Sequence, residues 1–113
     1  MQQEYKKVSY GLPEKTILEI DIIQLMKSGV NIQISKSQIV ENALIYSFDI
    51  FEDELQYADE IKKIATDLIE PIVQNYTISV AVANKLDYYA YELGIDKSHL
   101  VMAGIIFMSE QEN

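Results

Sequence analysis

The chain has 113 residues, half of them apolar, and a formal net charge of −9, with 18 acidic residues against nine basic ones, all lysine. It is long enough for one modest core. The absence of cysteine excludes a disulfide framework, a thiolate zinc site and a cysteine nucleophile, and the acidic balance opposes indiscriminate binding to nucleic acid. Met1 to Lys7 is polar, unlike a signal peptide. The longest apolar run, Leu100 to Met108, is interrupted by Gly104 and falls well short of the ~20 residues that cross a bilayer. These features predict a soluble protein of a reducing compartment, the cytoplasm, with no membrane partner.

Lys7 to Leu12 alternates, with Val8, Tyr10 and Leu12 on one face and Lys7, Ser9 and Gly11 on the other, which predicts a strand. Pro13 suits the first helical position, and Glu14 favours the positive helix start. The helix carries Ile17, Leu18, Ile20, Ile22, Ile23, Leu25 and Met26, with Lys27 near its end and Gly29 as its stop. Val30 to Ile34 is a connection. Ser35 caps a second helix, and Gln38 completes a capping box. That helix buries Ile39, Val40, Ala43 and Leu44. Residues 50–75 form an acidic segment. Within it the helical spacing of Leu55, Ala58, Ile61, Ile64, Ala65 and Leu68 predicts a connecting helix from about Glu52 to Ile69, closed by Pro71. Thr77 to Val82 alternates again, with Ile78, Val80 and Val82 inward and Thr77, Ser79 and Ala81 outward. Leu86, Tyr89, Ala90 and Leu93 mark a further helix ended by Gly94, and Asp96 caps the last helix, with Leu100, Val101, Gly104 and Ile105.

The order strand, helix, turn, helix thus occurs twice, in residues 1–49 and 76–113. Overlaying the last helices of the two copies shifts the numbering by 61, so that Ser35, Lys36 and Ser37 meet Asp96, Lys97 and Ser98, and Ile39, Val40, Ala43 and Leu44 meet Leu100, Val101, Gly104 and Ile105. Overlaying the two alternating segments takes a shift of 70, which makes the first copy nine residues longer. Strand, cap and apolar register agreeing together argue for an internal repeat.

A strand ending in Leu12-Pro13-Glu14, a helix, a Gly turn and then Ser35-Lys36-Ser37 opening a second helix resembles the ribbon-helix-helix family of the Arc/MetJ type. The second copy, from Lys85-Leu86-Asp87 through Gly94-Ile95-Asp96-Lys97-Ser98, resembles it more closely in length. The resemblance implies a mainly α fold. Its centre would be a tandem pseudo-dimer within one chain, with a two-stranded antiparallel ribbon and the connecting helix between the copies. It further implies double-stranded DNA as partner. The ribbon would enter the major groove, with Lys7, Ser9, Gly11, Thr77, Ser79 and Ala81 facing the bases. Lys6, Ser35, Lys36, Ser37, Lys97 and Ser98 would contact phosphates at the helix starts. The function implied is sequence-specific DNA binding, as a small transcriptional regulator or a plasmid or phage DNA-maintenance accessory, on an asymmetric site because the copies differ. An intertwined homodimer and assembly of chains on neighbouring sites stay open.

The residues depart from the family pattern in ways that favour a rival, a protein-interaction module that keeps the fold without DNA binding. The strand side chains are short apart from Lys7, and Asp96 sets a carboxylate where a phosphate would sit. Against this, Lys6, Lys7, Lys15, Lys36, Lys85 and Lys97 lie on strands or helix starts, while the acids gather in residues 50–75 and the tail. His99 is the sole histidine, and no Gly-rich phosphate loop, nucleophile elbow or paired-His motif is present. The reading is therefore of a non-enzyme without metal or cofactor. Ser35 and Ser37 would cap a helix in any protein, and Tyr88, Tyr89 and Tyr91 read as core plus one exposed face.

Overall fold

The computed structural model describes residues 4–29, 33–53 and 70–111. Two strands and four helices follow in the order β1 (Tyr5–Leu12), α1 (Glu14–Lys27), α2 (Lys36–Glu52), β2 (Ile72–Ser79), α3 (Val80–Leu93) and α4 (Lys97–Gln111). The chain is mainly helical. The connecting helix expected between Glu52 and Ile69 lies outside the described residues apart from its first two positions, where Glu52 ends α2 and Asp53 is its C-cap.

β1 and β2 pair antiparallel into a two-stranded ribbon, with Lys7 opposite Thr77, Ser9 opposite Asn75 and Gly11 opposite Val73. Alternation along β1 buries Tyr10 and Leu12 and leaves Lys7 and Ser9 exposed, as its pattern predicts. The second strand differs from expectation. It runs over 72–79, and Val80, Ala81 and Val82 are helical. The run from Thr77 to Val82 alternates like a strand, but Ser79 breaks it: its backbone is extended and its Oγ accepts the Val82 N–H at 3.3 Å, a serine N-cap. Val82 is buried in the helix, as the strand pattern also expects, so periodicity alone does not separate the two conformations.

The remaining helix ends follow local chemistry. Pro13 is the N-cap of α1 rather than its first helical residue, and Ser28, one residue before Gly29, is its C-cap. Ser35 caps α2, accepting the Gln38 N–H at 3.0 Å, but the capping box is half made because the Gln38 amide donates to Asn42 Oδ1 at 2.8 Å. Gly94 closes α3 at φ +66°, a left-handed position where glycine carries no Cβ penalty.

Both helical pairs pack on the inner face of the ribbon. Leu12 and Ile78 from the strands, Ile20 from α1, Ile39, Val40 and Leu44 from α2, Leu86 from α3 and Leu100, Val101 and Ile105 from α4 are at most 1% exposed. α2 and α4 approach closely at Gly104, where an added Cβ would stand 3.1 Å from Ser47 Oγ and 3.4 Å from the Ala43 carbonyl oxygen. Ser47 turns its hydroxyl inward to the same carbonyl, at 2.7 Å, which satisfies a buried donor at the crossing.

Equivalent positions recur at two fixed offsets. Glu14 and Val80 open α1 and α3, 66 residues apart, and these helices are both 14 residues long. Lys36 and Lys97 open α2 and α4, 61 apart. The length difference between the halves is therefore the five residues separating 66 from 61, not nine, and it falls in the connection between helices. At the offset of 66, Tyr10 meets Tyr76, and their rings stack at 6.4 Å on the inner face of the ribbon. Ser9 meets Asn75, which is also its partner in the ribbon.

Candidate nucleic-acid interface

The outward face of the ribbon carries Lys7, Ser9 and Gly11 from β1 and Val73, Asn75 and Thr77 from β2. Lys7, Ser9, Asn75, Thr77 and Val73 are exposed. At the centre the Ser9 hydroxyl donates to Asn75 Oδ1 at 2.6 Å, which leaves the Asn75 amide hydrogens directed away from that bond. Of the six residues expected to face bases, Lys7, Ser9, Gly11 and Thr77 share this face. Ser79 ends the same row, opposite Tyr5, but is fully buried as the α3 cap, with its N–H donating to Glu41 Oε1 at 2.6 Å, so it presents nothing to a partner. Ala81 does not share the face, because it lies in the first turn of α3. Asn75 and Val73 take the vacated places. Their signal was the match of Tyr10 and Leu12 to Tyr76 and Ile78, three residues and one residue before a helix cap, which the shift of 70 conceals.

The starts of α2 and α4 are fastened to the outer edges of the ribbon by equivalent bonds. Ser37 Oγ accepts the Thr77 N–H at 2.9 Å, and Ser98 Oγ accepts the Gly11 N–H at 3.0 Å. Each bond joins a helix of one half to the strand of the other. Each uses a strand N–H that points away from its ladder partner, and each leaves the serine hydroxyl hydrogen available as a donor. Lys36 and Lys97 are also equivalently placed: Lys36 Nζ is 2.9 Å from Asp21 Oδ1, and Lys97 Nζ is 3.1 Å from Asp87 Oδ1. Asp21 Oδ1 is itself enclosed, and no donor aligns with it for a hydrogen bond, so its contact with Lys36 is Coulombic rather than directional. Both pairs are roughly half exposed, a setting in which an ion pair contributes about 0–1 kcal/mol.

Lys6 is exposed but belongs to the opposite row from Lys7, opposite Ile78 at the end of the ribbon. Lys85 does not sit at a helix start. Its ammonium lies 5.2 Å from the Phe48 ring centre, twelve residues into α2, and caps an aromatic cluster of Phe48, Phe51 and Tyr89. Tyr89 is buried there, while Tyr88 and Tyr91 are exposed.

The inner face is dry enough to hold two phenols neutral far into the alkaline range. Tyr10 and Tyr76 are both pushed up to about 12, first by burial and second by a nearby carboxylate, Asp87 for Tyr10 and Asp21 for Tyr76. Among the described residues no group of His, Asp and Glu is placed to hold a metal ion. A shallow cleft of about 250 Å³ between α1 and α4 is lined by Pro13, Met102, Ile105 and Ile106, among others. On its rim the Ser109 hydroxyl donates to Glu19. No helix of the described residues is long and apolar enough to cross a membrane. Comparison of the chain with protein-family models, with curated proteins and with solved structures finds no match.

Proposed function

We propose that the chain is a tandem ribbon-helix-helix pseudo-dimer that binds double-stranded DNA through its ribbon, as a small transcriptional regulator or a DNA-maintenance accessory. One observation carries the reading: a two-stranded ribbon whose open outward row includes Lys7, Ser9, Asn75 and Thr77, flanked at both edges by the start of a helix. A major groove about 12 Å wide admits such a ribbon, and a helix start offers free N–H groups and a positive dipole end to a phosphate. The pseudo-dimer is supported by the duplicated detail. Tyr10 and Tyr76, the pairs Lys36–Asp21 and Lys97–Asp87, and the bonds Ser37–Thr77 and Ser98–Gly11 all repeat at the same two offsets. Lys97 exchanges a weak exposed ion pair for phosphate at small cost, whereas Lys36 leaves the enclosed Asp21 Oδ1 without its cation.

With a net charge of −9, binding must come from the local field of Lys7, Lys36 and Lys97. An electrophoretic mobility shift with duplex fragments from the coding gene's own upstream region, at two salt concentrations, tests it. Retardation that weakens with salt and vanishes in the double variant Lys7→Ala, Lys36→Ala supports the reading. The exposed Tyr5 ring and Val73 side chain on the outward face, and the carboxylate of Asp96 beside α4, favour the second reading, a protein-interaction module. No retardation at either salt concentration would leave that reading in place of DNA binding.

A further inference from the structure

The outward face of the ribbon is divided by end, not by strand. At one end Lys7 lies opposite Thr77, and at the other Gly11 lies opposite Val73, with Ser9 and Asn75 between. The first end offers an ammonium and a hydroxyl, and beyond them the exposed Tyr5 adds a ring that carries its own hydroxyl. The second offers no side-chain hydrogen-bonding atom: Gly11 has none, and Val73, 67% exposed, is an alkyl group. Pro71 adds to the apolar character, since its Cβ stands 3.0 Å from where a Cβ on Gly11 would be. Charge follows the same division. Lys6 and Lys7 stand against Glu4 at the first end; at the second, Glu70 and Asp96 stand with Lys97, which Asp87 holds in an ion pair, while Glu14 and Lys15 beyond Leu12 cancel each other. At the offset of 66, Val73 is the counterpart of Lys7, and Gly11 that of Thr77.

We propose, resting on the DNA-binding reading above, that the chain recognises a non-palindromic duplex site whose sequence is read at one end of the ribbon. Lys7, Thr77 and the central Asn75 are the specificity-determining residues, and the Gly11–Val73 end contributes apolar contact alone. The chemistry of the groove supports this. An ammonium reads the paired acceptors of guanine, and the Asn75 amide hydrogens, left over from the Ser9 bond, donate to an acceptor at the centre. A valine meets a thymine methyl group but cannot tell donors from acceptors. Discrimination should therefore be roughly tenfold or more per base pair beneath the first end and weaker beneath the second. The expected asymmetry sets the two half-sites apart, so neither strand owns the readout: Lys7 and Thr77 come from different strands.

Selection of bound duplexes from a fully randomised library, with the wild-type chain, Lys7→Ala and Val73→Lys, decides the matter. Both positions are exposed, and thermal unfolding by circular dichroism checks that each variant keeps the fold. The expected wild-type motif has strongly constrained bases in one half and loosely constrained, thymine-tolerant bases in the other. Lys7→Ala should erase the constrained half. Val73→Lys should bring constraint into the second half and make the motif more nearly an inverted repeat. A wild-type motif equally constrained in both halves overturns the proposal while sparing DNA binding, as does a Val73→Lys motif unchanged from wild type. Failure of any chain to enrich a motif overturns sequence-specific binding itself, and this proposal with it.

Discussion

Glu41 and Ser79 provide a sharp test of how the two halves are matched. Ser79 is fully buried, and its N–H has Glu41 Oε1 at 2.6 Å. The equivalent of Ser79 is Pro13, which has no N–H, and the equivalent of Glu41 is Met102, which has no acceptor of comparable strength. Pro13 and Met102 line the same cleft. The acceptor is thus present where a donor must be satisfied and absent where none exists. Glu41→Met should strand the Ser79 N–H and cost about 1–3 kcal/mol, the range for an unsatisfied buried group or a lost charge-assisted bond. Ser79→Pro alone should also destabilise, since it leaves the Glu41 carboxylate without this donor and removes the Val82 cap, worth about 1 kcal/mol. The backbone itself accepts the change, because Ser79 sits at φ −64° and the preceding Ile78 is extended. The double variant Glu41→Met, Ser79→Pro reproduces the Pro13–Met102 arrangement, so its loss should be about 1–3 kcal/mol smaller than the sum of the single losses. Urea unfolding followed by circular dichroism measures all three. Additive losses would refute the reasoning, because they would mean that the bond between the two residues contributes nothing.

High pH should unfold the chain through Tyr10 and Tyr76. Both phenols ionise near 12 in the fold against an ordinary value of 10.0, so between these values the unfolded chain has released protons that the native chain still holds. Stability is then intact below pH 10 and falls as pH rises towards 12, by up to about 2–3 kcal/mol per ring. Phenolate absorbance against pH should show Tyr10, Tyr76 and the likewise buried Tyr89 titrating later than the exposed tyrosines, and a flat urea midpoint across this window would contradict the burial of Tyr10 and Tyr76. Gly104→Val should cost about 1–3 kcal/mol by overpacking the α2–α4 crossing, read from the same urea curves. Gly104→Ala should cost less, because its single methyl meets Ser47 Oγ at 3.1 Å and the Ala43 carbonyl oxygen at 3.4 Å, contacts that a shift of a few tenths of an ångström relieves.

Much of this architecture is written in local chemistry. Ser35 and Gly94 end helices as their residue types require, and the alternation of β1 is visible because Lys7, Ser9 and Gly11 contrast with Val8, Tyr10 and Leu12. The second strand is not visible in the same way. Val80, Ala81 and Val82 continue an alternating pattern that Ser79 ends by capping, without the Glu or Gln three residues on that makes a capping box conspicuous. The true strand begins at Ile72, where pairing with Leu12 determines its extent, and tertiary pairing of this kind has no local signature. Among the candidate site residues, the outward row of β1 was legible, and that of β2 was legible only at Thr77. The bonds from Ser37 and Ser98 to the strands of the opposite half were not, since they join residues 40 and 87 positions apart. Lys36 and Lys97 read as free phosphate clamps in the sequence, whereas each is held by an aspartate from the preceding helix.

Chemical-shift mapping of the isotope-labelled chain titrated with duplex DNA addresses the central claim, that one chain supplies both strands of a groove-reading ribbon. The amides of Lys7, Ser9, Asn75 and Thr77 and of the first turn of α2 should shift together, with the effect diminished at higher salt, while those around Tyr88 and Tyr91 stay in place. Spectra unmoved by duplex DNA, or shifts confined to the Tyr88–Tyr91 surface, would contradict it.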